Sequence, residues 1–495
     1  MLNTKFRLPE YIYTAAELLL NNGYEANLVG GSLRDNLLGK APKDYDIATN
    51  AYPEDIERLF TKSIPTGAKF GTMLVIIPDE NNENQELEIT TYRSEADYYG
   101  GRWPAKVEFT KTIAEDLSRR DFTINAMALN LAKRNFELAD IKDPFNGLLD
   151  LENKIIRAVG NPLTRFSEDG LRSIRACRLA ANLEFSIAED TFEAISKTLH
   201  VTALVSKERV RDELMKLLLN SPKPSVGIIL LKDSGLLKLI IPELLEEVDV
   251  VQPLFHTDDV FTHSLKSLDI AEDRVKLAAL LHDIGKPRTM TKDDKGIHFY
   301  GHDLKGAEMV REIMTRLKFP STDIKQVETL VRWHMFYYPT GDWRKQNDPA
   351  ANLNELTAEQ LIKVREEHQE SSFAGGWSDA AIRRFIHNVG GEEMIDDLMR
   401  LRIADATSNT KSVYNPEELR VLSERISNVR LKDMALKITD LEITGRDLIV
   451  EFNLKPSKSL GNILNYLLDK VIDDPNLNEK ERLLALSKDY LARLN

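Results

Sequence analysis

The spacing of apolar residues divides this chain of 495 residues into a mixed first part and a helical remainder. Up to residue 148, short apolar or alternating runs such as LEITTYR (Leu87–Arg93) are interleaved with helical patterns. That mixture predicts a small mixed sheet with its functional residues on one face. Pro and Gly punctuate both ends of DPFNGLLDLENKIIRAVGNP (Asp143–Pro162), as in a connector. From Thr164 to about Glu246 the apolar period is helical, broken at Ser221-Pro222 and Pro224. Two more helical regions run from about Phe255 to Asn409 and from Lys411 to Asn495. The expected class is α+β and multidomain: a mixed-sheet head at 1–148, then all-α domains at 149–254, 255–410 and 411–495. The acidic, Asn-rich stretch Asp79–Glu86 reads as a hairpin loop, and no internal repeat is evident.

Composition narrows the class. No apolar run reaches the about 18 residues needed to cross a bilayer, and the first residues lack a signal-peptide pattern. A cytoplasmic protein without membrane contact is therefore expected. Cys177 is the only cysteine, which excludes an internal disulfide and a cysteine zinc site and leaves a buried structural thiol. The net charge of −13 argues against indiscriminate nucleic-acid binding. The segment Asp150–Pro224, with 12 Lys/Arg against 11 Asp/Glu, is near neutral and can present a local basic groove.

The run LVGGSLRDNLLGKAPKDYDIAT (Leu28–Thr49) carries the first chemistry. Gly30-Gly31 lets backbone N–H groups approach an anion, Ser32 is expected to cap the helix running toward Leu38, and Arg34 lies on that helix. A triphosphate fits such a turn. Asp44 and Asp46 stand two apart in an expected strand and so point to one face, where paired hard oxygen ligands suit Mg²⁺. Taken alone, each pattern is more often a plain glycine turn or a solvated acidic pair.

A second segment, AEDLSRRDFTINAMALN (Ala114–Asn130), sets Arg119, Arg120, Asp121, Thr123 and Asn125 ahead of an apolar stretch. Guanidinium forks suit phosphate, and Asp and Asn suit ribose hydroxyls. Together the two segments resemble the class II tRNA nucleotidyltransferase and bacterial poly(A) polymerase superfamily, whose signatures read GGxVRDxLLGxxxxDxDxxT and RRDFTxNA; here Leu33 stands where Val is usual. The resemblance implies catalysis by Asp44 and Asp46 holding Mg²⁺, with Glu88 of LEITTYR either a third carboxylate or a solvent-facing strand residue. It assigns Gly30, Gly31, Ser32, Arg34, Arg120, Asp121 and Asn125 to the nucleotide.

In FSEDGLRSIRACRLAA, Asp169 and Arg172 are three apart on an expected helix, hence on one face and joined to one another. An acceptor beside planar donors matches the edge of cytosine or adenine and mismatches uracil and guanine. The segment resembles the EDxxR motif by which class II CCA-adding enzymes choose CTP and ATP; read alone it is a helix salt bridge. Arg172, Arg175 and Arg178 recur at intervals of three as a basic stripe for phosphates, and Arg209 and Glu213 in VSKERVRDELMKLLL read as helix-stabilising.

LAALLHDIGKP presents His282 and Asp283 at the end of an apolar helix closed by Gly285 and Pro287. With His263, His302, His334 and Asp405 they form an ordered set that resembles HD-domain phosphohydrolases, with two extra His for a second metal. Imidazoles suit a divalent transition metal. His200, His256, His298, His368 and His387 lack such context and read as structural. From Ile443, ITGRDLIVEFNLKPSKSLGNILNYLL resembles the RNA-contacting tail that follows HD domains in bacterial CCA-adding enzymes, with Glu451 and Ser457 replacing usual glycines.

The resemblance implies a CTP/ATP:tRNA nucleotidyltransferase that restores the 3′ CCA end without a nucleic-acid template, with an HD domain that hydrolyses phosphoesters. A poly(A) polymerase shares both head motifs, but that branch usually carries a basic signature where this chain has GTMLVIIPDENNENQ. CC-adding relatives lack the loop that SEADYYGGRWPAKVEF supplies from Ser94, and an A-adding relative stays open. In a different class, an HD phosphohydrolase or RNA-binding protein with a vestigial head is opposed by intact Asp44 and Asp46.

Overall fold

The structure, a computed structural model, describes residues 2–3, 5–67, 70–99, 103–252, 258–294, 296–336, 377–408, 416–430 and 437–494. His256, His368, the expected domain edges at 254–255 and 410–411, and part of the loop after Ser94 lie outside them. The chain forms two compact units: Met1–Leu245 with Thr315–Phe319, and Glu246–Met314 with Pro320–Asn495.

After the helix Glu10–Asn21, and with short helices between them, the first unit holds strands β1 (Asn27–Val29), β2 (Asp46–Thr49), β3 (Ser63–Gly67), β4 (Thr72–Pro78), β5 (Asn84–Thr91), β6 (Arg93–Tyr99), β7 (Trp103–Phe109), β8 (Ala128–Asn130) and β9 (Ile141–Lys142). Their sheet runs in the order β3-β4-β5-β2-β1-β8-β9, while β6 and β7 pair as a separate antiparallel ribbon. Alternation decides the faces: β4 buries Met73, Val75 and Ile77, and β5 buries Leu87, Ile89 and Thr91, so Glu88 faces away from that core. Between them Asp79 closes the expected hairpin, its carboxylate accepting the N–H groups of Asn81 and Glu83 at 2.9 Å.

The helical part of this unit centres on Leu171–Leu183, against which Lys207–Asn220 and Pro224–Asp233 pack. Cys177 is buried there, and burial pushes its thiol up to about 12, as suits an inert core residue. The expected continuous helix through Asp169 and Arg172 is not what forms. One helix, Pro162–Glu168, ends at Asp169, whose backbone is extended (φ −141°, ψ 108°), and the next starts at Leu171. Gly170 marks the reason. A Cβ there would stand 2.6 Å from backbone atoms of Thr202, so the break lets the Leu199–Thr202 helix close on the chain.

In the second unit the helix Val260–Ile270 packs on Lys276–Leu281 and on Glu392–Ser408. Gly285 brings the turn after His282 against the helix His302–Arg316: a Cβ on it would meet the His302 carbonyl oxygen at 2.2 Å. Toward the end of the chain, Leu448, Ile463, Leu467, Val471 and Leu483 form a separate core. Arg383 ties the helix Asp379–Val389 to it by donating to the carbonyls of Ile472 (2.6 Å) and Asp473 (2.8 Å).

Candidate functional site

Three adjacent strands bring the head residues together. Val29 lies opposite Asp46 in the antiparallel β1–β2 pair, and Asp46 lies opposite Glu88 in the parallel β2–β5 pair. Gly30 follows Val29 with φ +74°; a Cβ on it would stand 3.2 Å from Arg120 Nη1 and 3.3 Å from Asp46 Oδ2. Two local expectations are corrected. Ser32 does not cap: the helix already starts at Gly30, and the buried Ser32 hydroxyl donates to the Val29 carbonyl at 2.9 Å. Asp44 is not in a strand with Asp46, because β2 begins at Asp46 and Asp44 lies exposed in the bend before it. Its charge still reaches Asp46. Burial, the largest influence, together with Glu88 and Asp44, pushes the Asp46 carboxyl up to about 6 against the pull of Arg120. Crowded carboxylates of this kind favour a divalent cation.

Arg120 Nη2 donates to the buried Asp116 at 3.1 Å, and its Nε is buried without a partner. Arg34 donates to Asn125 Oδ1 at 2.7 Å, Asn125 to Asp121 Oδ1 at 3.1 Å, and Arg175 to Asp121 Oδ2 at 2.9 Å. These four residues form one hydrogen-bonded chain. Burial alone would raise the Asp121 carboxyl, but Arg175 above all, then Asn125 and Arg172, hold it well below the usual range. Asp121 therefore braces its neighbours from both oxygens.

The expected pairing of Asp169 with Arg172 is also corrected. Asp169 takes a two-pronged bond from Arg209 (Nη1–Oδ1 3.2 Å, Nη2–Oδ2 2.7 Å) and the N–H of Leu171 at 3.0 Å. Arg172 bonds the Glu168 carboxylate and the carbonyls of Arg165 and Arg119, both at 2.9 Å. Arg209, expected to brace its own helix, acts across the fold instead, and Glu213 does so besides lying 3.8 Å from Lys216 on its own helix. Glu213 accepts from Arg178 at 2.5 Å and lies 3.7 Å from Arg175, so the basic stripe is ion-paired along part of its length. Asp116 and Glu168 are contributors that the motifs do not flag, although Asp116, three and four residues before Arg119 and Arg120, and Glu168, four before Arg172, both left a spacing signal; Arg209 left none that pointed to Asp169.

The second unit gathers all six expected ligand-type residues. His263 comes from the helix Val260–Ile270, His282 and Asp283 follow Lys276–Leu281, His302 heads its helix, His334 ends Ser321–Trp333, and Asp405 lies on Glu392–Ser408. Asp283 stands between two groups. Its Oδ2 is 3.2 Å from His282 Nε2 and 3.6 Å from His263 Nε2; its Oδ1 is 3.5 Å from His302 Nε2 and 3.7 Å from His334 Nε2. Asp405 Oδ1 completes the first group, 3.1 Å from His263 Nε2. The opposite ring nitrogens of His282, His302 and His334 bond the carbonyls of Ala279 (2.8 Å), Phe299 (2.8 Å) and Val331 (2.6 Å), and His263 Nδ1 meets Ser408 Oγ at 3.1 Å. Anchored so, each imidazole turns Nε2 inward, as metal-binding His do. Burial and then His334 push His302 down to about 4. For His282 burial is overcome by Asp283 and Asp405, which push it up to about 9. The mixed N and O donors form two triads that share one carboxylate, the donor set that a divalent metal ion takes.

The other described histidines stand apart. His298 pairs with Asp293 at 3.1 Å in a hairpin, His200 is exposed, and His387 lies on the helix Asp379–Val389.

Family models match along the chain: the poly A polymerase head domain at 26–157, the RNA and SrmB-binding site of polymerase A at 184–247, the HD domain at 260–410 and tRNA nucleotidyltransferase domain 2 at 390–486. The CCA-adding enzyme of Ligilactobacillus salivarius (strain UCC118) is 31% identical over 481 residues, 96% of this chain and 95% of that one. That of Lactococcus lactis subsp. lactis (strain IL1403) is 30% identical over 488 residues, 98% and 99%. Among solved structures, the Bacillus stearothermophilus CCA-adding enzyme in complex with CTP aligns over 98% of both chains with a TM-score of 0.60 at 24% identity, a likeness of fold.

Proposed function

From the CCA-adding enzyme family, to which this chain belongs, we propose that its head builds the CCA end of tRNA from CTP and ATP without a nucleic-acid template. It is a divalent-metal-dependent nucleotidyltransferase with an HD domain. The observation that carries the reading is the row Val29, Asp46 and Glu88 across three neighbouring strands, with Gly30 next after Val29 and Arg120 and Asp46 close around it. Asp44 and Asp46, with Glu88, hold Mg²⁺, which when bound neutralises charge at the phosphates and makes the attacking tRNA 3′-hydroxyl more acidic. The backbone at Gly30-Gly31 cradles the triphosphate, Ser32 shapes that turn, and Arg34 and Arg120 bind its oxygens. Asn125, braced by Asp121 and Arg175, meets the ribose. Asp169 and Arg172, each held by its own partners, present an acceptor and donors to the base edge.

The division proposed is a head at 1–148, a neck at 149–254, an HD domain at 255–410 and an RNA-contacting tail at 411–495. The proposed compartment is the cytoplasm; among the described residues no helix is long and apolar enough to cross a membrane. Incubating the protein with a tRNA that ends before CCA tests the reading. CTP alone should add two residues, CTP with ATP three, and ATP alone none. Addition of adenosine only, and only to tRNA already ending in CC, would make it an A-adding enzyme; long adenosine tracts would make it a poly(A) polymerase.

A second activity is proposed because two donor groups share Asp283: hydrolysis of a phosphoester, such as a 2′,3′-cyclic phosphate or phosphorylated RNA end, with a divalent transition metal in each group. Removing such a block exposes the hydroxyl the head extends.

A further inference from the structure

The carboxylate face of the head sheet continues past its acids. Val29 faces Asp46 and Asp46 faces Glu88; in the antiparallel β4–β5 pair Glu88 lies opposite Leu74, and in the β3–β4 pair Leu74 lies opposite Ile64. Residues opposite one another in register project from the same face of a sheet, so Leu74 and Ile64 share the face of Asp46 and Glu88. The other face is the one that buries Met73, Val75, Leu87 and Ile89. Near β1 the carboxylate face is covered, since Val29 and Ala48 pack in one cluster with Ile113 and Leu117. Toward β3 it opens. Leu74 and Ile76 are half-buried, and Ile64, on the edge strand, is 46% exposed. One exposed Ile is ordinary, but aliphatic side chains in line with a candidate metal site form a surface that something can use.

The order across the sheet says what this shelf meets. With strands about 4.7–4.9 Å apart, Leu74 stands about 5 Å and Ile64 about 10 Å beyond Glu88. In the proposed reaction the triphosphate lies at Gly30 and Arg120, on the β1 side of Asp46. Transfer to its α-phosphate is an in-line displacement, so the attacking oxygen comes from the side opposite the leaving pyrophosphate. That is the β5 side. The attacking hydroxyl arrives over Glu88, and the nucleoside that carries it extends over Leu74 and Ile64. On this face β5 presents exposed Glu86 and Glu88, which disfavour phosphate, whereas aliphatic β4 and β3 suit the flat face of a base. Every base has such a face, so the contact tolerates an RNA end whose last base changes as residues are added.

We propose that Ile64 and Leu74 seat the terminal base of the tRNA being extended, an apolar shelf that positions the attacking 3′-hydroxyl and accepts any base. This rests on the nucleotidyltransferase reading of the head. It assigns neither side chain to the incoming triphosphate.

A tRNA ending before CCA is prepared with and without the base of its last residue. CMP addition is followed against tRNA and against CTP, beside tRNA dissociation constants measured without nucleotide. Ile64→Ser and Leu74→Ala should each raise the KM and the dissociation constant for intact tRNA by at least about fivefold, the scale of losing part of an aliphatic contact, with the KM for CTP unchanged. Ile64→Val should keep most of the wild-type affinity. On the abasic tRNA wild type should already be weakened, and either variant should weaken it further by less than about twofold. The same loss on intact and abasic tRNA, unchanged tRNA binding in both variants, or a rise in the KM for CTP instead overturns the shelf. No addition to intact tRNA by wild type defeats the nucleotidyltransferase reading and this proposal together. Thermal melts report folding, and Ile64→Ser, at an exposed edge position, carries the test alone if Leu74→Ala does not fold.

Discussion

Gly30→Ala probes the head geometry with the smallest chemical change available. At φ +74° an L-residue with a Cβ costs about 1–2 kcal/mol of backbone strain. The new Cβ would also stand 3.2 Å from Arg120 Nη1 and 3.3 Å from Asp46 Oδ2, inside the about 3.5–4.0 Å of relaxed contact, so one neighbour must yield by a few tenths of an ångström. Neither yields easily, since Arg120 is tied to Asp116 at 3.1 Å and Asp46 is clamped between β1 and β5. The combined cost of about 2–3 kcal/mol is small enough for a domain with about 5–15 kcal/mol of stability to stay folded. Activity should suffer far more, because misplacing reacting groups by about 1 Å costs on the order of 10²-fold and this shift acts on a metal-type ligand and a phosphate-type donor together. Gly23→Ala is the internal control: Gly23 also has positive φ, +85°, but its Cβ would meet nothing within 4 Å. The assay is single-turnover CMP incorporation into a tRNA lacking CCA, beside thermal melts of both variants. Both should melt a few degrees low, and only Gly30→Ala should lose rate, by at least about tenfold. Equal rates in the two variants would refute the argument from close approach and leave Gly30 a mere turn residue.

Three further outcomes are expected. Asp44→Ala and Asp46→Ala should each abolish nucleotide addition while circular dichroism and melting stay near wild type; incorporation at near wild-type rate by a folded variant would remove the proposed metal site. Asp169→Ala should blur the preference for CTP and ATP over UTP and GTP by about 1–3 kcal/mol, and Arg209→Ala, which frees Asp169 from its two-pronged partner, should blur it in the same direction with Asp169 intact. Competition among all four triphosphates measures both, and unchanged selectivity reduces these residues to neck bracing. The double variant His282→Ala/Asp283→Ala should lose phosphoester hydrolysis and metal content while CCA addition survives, because the ligand sets do not overlap. Hydrolysis that persists in it would leave the HD helices as scaffold.

What the sequence determined by itself was local. A two-residue period in LEITTYR sufficed to bury Leu87 and Ile89 and turn Glu88 outward, because side chains alternate wherever a strand has one covered face. Gly30 was legible because a positive φ beside other groups leaves room for no Cβ, and Asp79 because an acidic side chain closes a turn within its own few residues. The six ligand-type residues of the HD region stood out by residue type and order, and the helices carry them to one place. Tertiary structure decided the rest. Periodicity assumes a helix continues, and nothing around Asp169 shows that Thr202 will pack against Gly170 and break it. With the break, Asp169 reaches Arg209, 40 residues on, and Arg172 turns to Glu168 and to the carbonyl of Arg119. Ile64 and Leu74 gave no sign of their place, since only strand pairing sets them in register with Glu88. Spacing along a chain fixes which side chains share a face, but the partner a buried charge finds depends on which distant backbone is allowed to approach it.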